Sequence, residues 1–213
     1  MNAHCFLDAG YLRGLSKQFE RPLADPRLLA NNIAYSDLVQ SWRTPKRSTS
    51  KEFPGASNIS IGLARVLFYD ACPDELADPA MQEYWKTIGL LPDTEVKMGA
   101  LRGRRRRQKG VDGLIAVDML VGAFSGLFQV AILVAGDGDF VPIVEAVRQR
   151  GVMVMIAAEE KSLSNDLRLA ADRVWPIDPT GTRPADFPPL RTSTGHIWLL
   201  DQDGKVRISP EIS

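Results

Sequence analysis

Four aspartates stand where this chain can do chemistry. Asp8 closes the apolar run at 4–7, Asp137 and Asp139 follow VAILVAG in the segment AGDGDF, and Asp112 opens a long apolar stretch. Backbone N–H groups and the dipole at a helix start steady a carboxylate such as Asp112. Histidine is scarce: His4 sits inside a strand-like run and His196 lies near the far end. A donor set made only of oxygen suits Mg²⁺ or Mn²⁺ rather than zinc. It leaves a Ser/His/Asp or Cys/His nucleophile poorly supported. Acids holding such a metal match phosphodiester hydrolysis, in which the metal activates water and neutralises charge on phosphate. The expected catalytic set is Asp8, Asp112 and Asp137, with Asp139 joining them as a metal ligand. Gly136 and Gly138 suit a tight turn that brings Asp137 and Asp139 close to a ligand. Asp118 lies six residues beyond Asp112, about 240° around a helix, and ranks as a supporting residue. Asp70, which ends RVLFY, is also of second rank.

The second chemical signal is basic. Arg102, Arg104, Arg105, Arg106, Arg107 and Lys109 put six cations into eight residues with no acid among them, and the run leads straight into Asp112. Arginine binds phosphate in a bidentate fashion, so a basic funnel beside a carboxylate centre fits a polyanionic substrate. Arg43, Lys46, Arg47 and Lys51 offer a second patch. No aromatic platform interleaves with either run, so base-specific readout is not indicated. The chain as a whole is neutral, 26 basic against 26 acidic residues, and only this local clustering points to a partner.

These residues need elements to position them. Short apolar runs at 4–7, 65–69, 95–98, 130–134, 152–156 and 173–177 read as strands. Helical spacing predicts helices over 27–42, 74–91, 112–124, 140–150 and 164–172, with Gly151 as a C-cap. Unbroken Val/Ile/Leu strands between helices imply a mainly parallel sheet covered on both faces. The expected fold is therefore α/β and doubly wound over residues 1–178. Residues 43–60 form a polar, breaker-rich loop. Beyond 178, four prolines make a stiff linker, and HIWLL and KVRI flank 201–204 as a hairpin. This 179–213 extension is able to add an edge strand or to clasp a second copy as a homodimer.

The uncharged stretch 119–136 contains Gly122, Ser125, Gly126 and Gln129, and reads as a helix plus a buried strand rather than a membrane span. Cys5 and Cys72 form no CxxC pair and read as reduced thiols of a cytoplasmic protein. The N-terminus meets an acid at Asp8, unlike a secretory or transit segment.

Taken together, FLDAGYL (6–12), RVLFYDA (65–71), KGVDGLIAVDML (109–120), VAGDGDFVPIVEAVRQRGVMVMI (134–156) and SLSNDLRLAADRVWPID (162–178) resemble the NYN domain, a PIN-like ribonuclease fold, in its LabA-like branch. The resemblance implies a Rossmann-like sheet of order 3-2-1-4-5, a Mg²⁺ or Mn²⁺ centre at Asp8, Asp112, Asp137 and Asp139, and cleavage of RNA, single-stranded or in loops. Tyr11 stands where many relatives have Asn, and Ala135 where many have Ser, so the polar groups that orient metal or water differ here. A non-catalytic RNA-binding or regulatory module of the same fold is the alternative. A haloacid-dehalogenase-like phosphatase fits less well, because it wants DxD after the first strand, where this chain reads Asp8-Ala9-Gly10.

Overall fold

The computed structural model describes residues 1–36, 61–72, 78–100, 110–180 and 187–209. Six strands form one parallel sheet: β1 (Asn2–Asp8), β2 (Gly62–Cys72), β3 (Thr94–Ala100), β4 (Val130–Val134), β5 (Met153–Ala158) and β6 (Arg173–Pro176). Their order is β3-β2-β1-β4-β5-β6, the expected 3-2-1-4-5 arrangement with a sixth strand at its edge. All five pairings are parallel.

Among the described residues six helices cover the sheet: α1 (Ala9–Gln18), α2 (Pro26–Ala34), α3 (Pro79–Gly89), α4 (Val111–Phe124), α5 (Val141–Gln149) and α6 (Asn165–Ala170). The period-2 alternation of strand side chains divides the core in two. Cys5, Leu7, Phe68, Ile132, Val134 and Met155 pack against α1, α2 and α3. Phe6, Leu67, Tyr69, Leu133 and Ile156 pack against α4, α5 and α6. Burial on both faces explains why these strands read as continuous apolar runs.

Helix α1 was not anticipated from the sequence. Gly10 and Gly14 lower its helical propensity, but Asp8 accepts hydrogen bonds from the backbone N–H of Gly10 and Tyr11 (2.8 and 3.2 Å), and Leu12 and Leu15 are buried. Capping and burial outweigh propensity here. Of the predicted helices, α2 ends at Ala34 with Tyr35 as its C-cap, short of the expected 42, and α3 runs from Pro79 behind Asp78 to Gly89, short of the expected 91; 37–42 and 74–77 of those spans lie outside the described residues. Gly151 takes a positive φ of 78° after α5, and its N–H donates to the Arg148 carbonyl, closing that helix as expected.

The tail does form a hairpin, β7 (Ile197–Leu200) antiparallel to β8 (Val206–Ser209). Among the described residues it adds no edge strand to the main sheet. It folds back on its own chain instead: Trp198 and Val206 are buried in the core under α1 and α3. The Leu23 N–H donates to the Trp198 carbonyl at 2.7 Å, and Arg207 pairs with Asp78 at 2.5 Å. Among the described residues no helix is long and apolar enough to cross a membrane; the uncharged stretch at 119–136 divides into the end of α4 and β4, as expected.

Candidate functional site

Strands β1 and β4 are parallel neighbours, yet the chain leaves them in opposite directions. After β1 it enters α1 on one face; after β4 it reaches α5 on the other. A crevice opens between carboxyl ends that diverge in this way, and it is the usual ligand position in an open α/β sheet. Asp8 ends β1 and Asp137 follows β4, so both stand at this switch point.

Local structure holds each acid. Asp8 is the N-cap of α1. Asp137 caps the short 3₁₀ turn Gly138–Phe140 by accepting from the Asp139 N–H at 3.0 Å. Asp112 lies in the first turn of α4 behind Gly110, whose φ of 119° a side chain would rarely adopt.

The charges of these acids reach one another. Burial first, and then the charge of Asp112, push the Asp8 carboxyl up to about 6, against the downward pull of the Tyr11 and Gly10 N–H groups and of Arg13. Desolvation and the charges of Asp137 and Asp139 raise Asp112. Asp8 thus feels Asp112, and Asp112 feels the Asp137–Asp139 pair. No salt bridge joins any of the four to a cation among the described residues. Nor does any group of three or more His, Cys, Asp or Glu among those residues stand close enough to hold a metal ion as it is. The acids gather at one edge without closing into a ligand cage.

The two second-rank aspartates lie elsewhere and are satisfied. Asp70 is fully buried; it pairs with both terminal guanidinium nitrogens of Arg13 and accepts from Trp85 Nε1 (2.8 Å) and the Ala71 N–H (2.7 Å). Asp118 accepts from the Tyr69 hydroxyl (2.7 Å) and Lys97 Nζ (2.8 Å). It lines a cavity of about 350 Å³ with His4, Lys97 and Phe128, whose ion pairs are internal.

A larger cleft of about 510 Å³ adjoins the acids, and sequence reading did not find it. Asp137, Gly136 and Gly138 form one wall, and Lys161, Ser162, Leu163 and Ser164 from the loop after β5 form another, with Tyr11 between. The Glu159 N–H donates to the Tyr11 phenol oxygen at 2.8 Å. The Ser162 hydroxyl donates to the Glu159 carbonyl at 3.0 Å, which leaves its oxygen to accept from Tyr11 at 2.7 Å. Tyr11 therefore clamps this loop. The Ser164 N–H donates to the Gly136 carbonyl at 2.9 Å, tying the two walls together. A Cβ on Gly136 would lie 2.5 Å from the Ser162 carbonyl oxygen, so only glycine fits. The available signal was the polar run EEKSLS directly after the buried strand VMVMIAA.

Arg102, Arg104, Arg105, Arg106, Arg107 and Lys109 lie outside the described residues, as do Arg43, Lys46, Arg47 and Lys51.

Sheet order and switch-point acids define an α/β protein with a carboxylate-lined crevice. The chain belongs to the NYN domain family, a family of PIN-like nucleases: the family model matches residues 63–178. The matched span contains Asp112, Asp137 and Asp139, while Asp8 precedes it. The crystal structure of a protein of unknown function from Vibrio parahaemolyticus RIMD 2210633 shares the fold, with a TM-score of 0.59 at 19% identity over 87% of this chain and 94% of that one. No curated protein matches the chain.

Proposed function

We propose that this protein is a metal-dependent ribonuclease of the LabA-like branch, hydrolysing RNA phosphodiester bonds at a Mg²⁺ or Mn²⁺ centre. The observation that carries the reading is the gathering of Asp8, Asp112, Asp137 and Asp139 at the switch point, each raising or feeling another's charge, with no cation pairing them among the described residues. Carboxylates left in this way repel one another, and a bound divalent cation reverses the sign of that interaction. The donor set fits a hard cation: oxygen alone, with no histidine or thiol beside it. Asp8, Asp112 and Asp137, with Asp139, would hold the ion, whose chemistry is to activate water and to neutralise charge on the phosphate. The basic run from Arg102 to Lys109 precedes α4 directly and would gather the polyanion toward Asp112.

One observation favours the second reading, an RNA-binding module without catalysis. No three of the acids stand in ligating range as they are. The discriminating experiment is cleavage of a set of labelled single-stranded RNAs in Mn²⁺, with EDTA and Asp137→Asn controls. Losing a group that acts mainly in the transition state costs on the order of 10²–10³ in rate. Asp137→Asn should therefore nearly abolish cleavage and leave RNA binding equal or tighter. Binding without cutting, across several RNAs and both metals, makes the module reading the correct one.

A further inference from the structure

The cleft between Asp137 and Lys161 is open to solvent, and Asp137 is the one residue of its lining that belongs to the acids that would hold the metal. Its two walls are tied by the hydrogen bond from Ser164 to Gly136, its loop is clamped by Tyr11, and Gly136 brings the walls together where no side chain would fit. Its walls are held in place by these bonds, which lowers the ordering that binding requires. Its polar groups are also unspent. Lys161 has no carboxylate partner among the described residues. Ser164, although it precedes α6, makes no side-chain capping bond; its hydroxyl is turned toward Gly138, whose Cβ would lie 2.9 Å from that oxygen. A free ammonium and a free hydroxyl on one wall, with a carboxylate on the other, ask for an anion next to Asp137 rather than on it.

We propose that this cleft binds one unpaired nucleotide of an RNA strand, with Lys161 and Ser164 holding the phosphate next to the one the acids would hydrolyse. The inference rests on the ribonuclease reading and adds the residues that would hold the strand beside the site of hydrolysis. A volume of about 510 Å³ lies within the roughly 300–1,000 Å³ of small-ligand sites. It takes a nucleotide that has left its helix, not a stretch of duplex. Tyr11 lines the same space, and a base beside an aromatic ring is held without regard to its hydrogen-bonding edge. Lys161 supplies charge, Ser164 a directed donor.

The test measures fluorescence anisotropy of a short labelled oligouridylate in EDTA, beside a blunt RNA duplex of equal length, with Mn²⁺-dependent hydrolysis run on the same proteins. A charge-assisted hydrogen bond lost from a phosphate corresponds to about a tenfold weakening. Lys161→Ala should weaken oligouridylate binding by about that factor and lower the salt slope by about 0.7. Lys161→Arg should restore both, and Ser164→Ala should cost about threefold. Duplex binding should be alike in wild type and Lys161→Ala. In hydrolysis the loss should fall on KM more than on kcat. If oligouridylate affinity, salt slope and KM are all unchanged in Lys161→Ala while wild type cuts, the cleft is not a subsite and the ribonuclease reading stands. If Lys161→Ala loses binding but no form of the protein cuts, the cleft is a nucleotide site and the ribonuclease reading falls.

Discussion

Asp70 and Asp8 stand near the carboxyl ends of adjacent parallel strands, with Asp8 in register with Tyr69. Their surroundings are opposite. Around Asp70 the fold supplies a guanidinium, an indole N–H and a backbone N–H, and the carboxylate is wholly enclosed. Around Asp8 it supplies two backbone N–H groups, the charge of Arg13 without a salt bridge, and further acids, and the carboxyl is pushed up to about 6. A buried carboxylate with its counter-charge is a structural anchor. One that faces other carboxylates is unfavourable until something outside the chain joins it, and so it marks a site.

The largest effect expected from this contrast is at Asp70. Removing one partner of a buried ion pair leaves the other charge unpaired and costs about 3–5 kcal/mol. Asp70→Ala should lower the melting temperature by roughly 10 °C at this chain length, with no part of the loss specific to Mn²⁺. A loss under about 1 kcal/mol would remove the distinction between the two acids.

Asp8→Asn should act in the opposite direction. Because the folded protein holds the Asp8 proton more tightly than the unfolded chain, this group's stabilising contribution is complete below 3.8 and is lost as pH rises through about 6. Asparagine is uncharged throughout and still caps a helix. In EDTA at pH 8 the variant should be more stable than wild type by roughly 2–3 kcal/mol, and the gain should vanish below about pH 4. Denaturant titrations at the two pH values measure it.

The smallest effect concerns the clamp. Tyr11→Phe removes the partner of the buried Glu159 N–H and of Ser162. A loss of about 1–2 kcal/mol is expected, together with faster amide exchange at Glu159 and Ser162. Unchanged exchange there would mean that the loop is held without Tyr11.

The sequence made the sheet legible because its strands are buried on both faces and read as unbroken apolar runs at 130–134 and 153–158. Acids placed after such runs fall at strand ends by necessity, which is why Asp8 and Asp137 could be singled out. Helix α1 was not legible, since two glycines mask a segment that is held by its cap and by Leu12 and Leu15. The partners of Asp70 and Tyr11 were hidden for another reason. Arg13 lies 57 residues from Asp70, and Ser162 lies 151 from Tyr11. No local pattern joins residues at that separation; only the strand order does. The cleft at Lys161 and Ser164 belongs to the same class, because its walls meet through the pairing of β4 with β5.

The central claim is that Asp8, Asp112 and Asp137 share one cation. It is tested most directly by thermal unfolding of wild type, Asp8→Asn and Asp112→Asn across a Mn²⁺ titration. A ligand at a hundred times its Kd, bound only to the folded state, adds about 2.7 kcal/mol, or roughly 5–10 °C here. Wild type should gain that shift, and each variant should lose at least half of it while starting from an equal or higher melting temperature in EDTA. An equal Mn²⁺ shift in all three proteins would contradict the shared site.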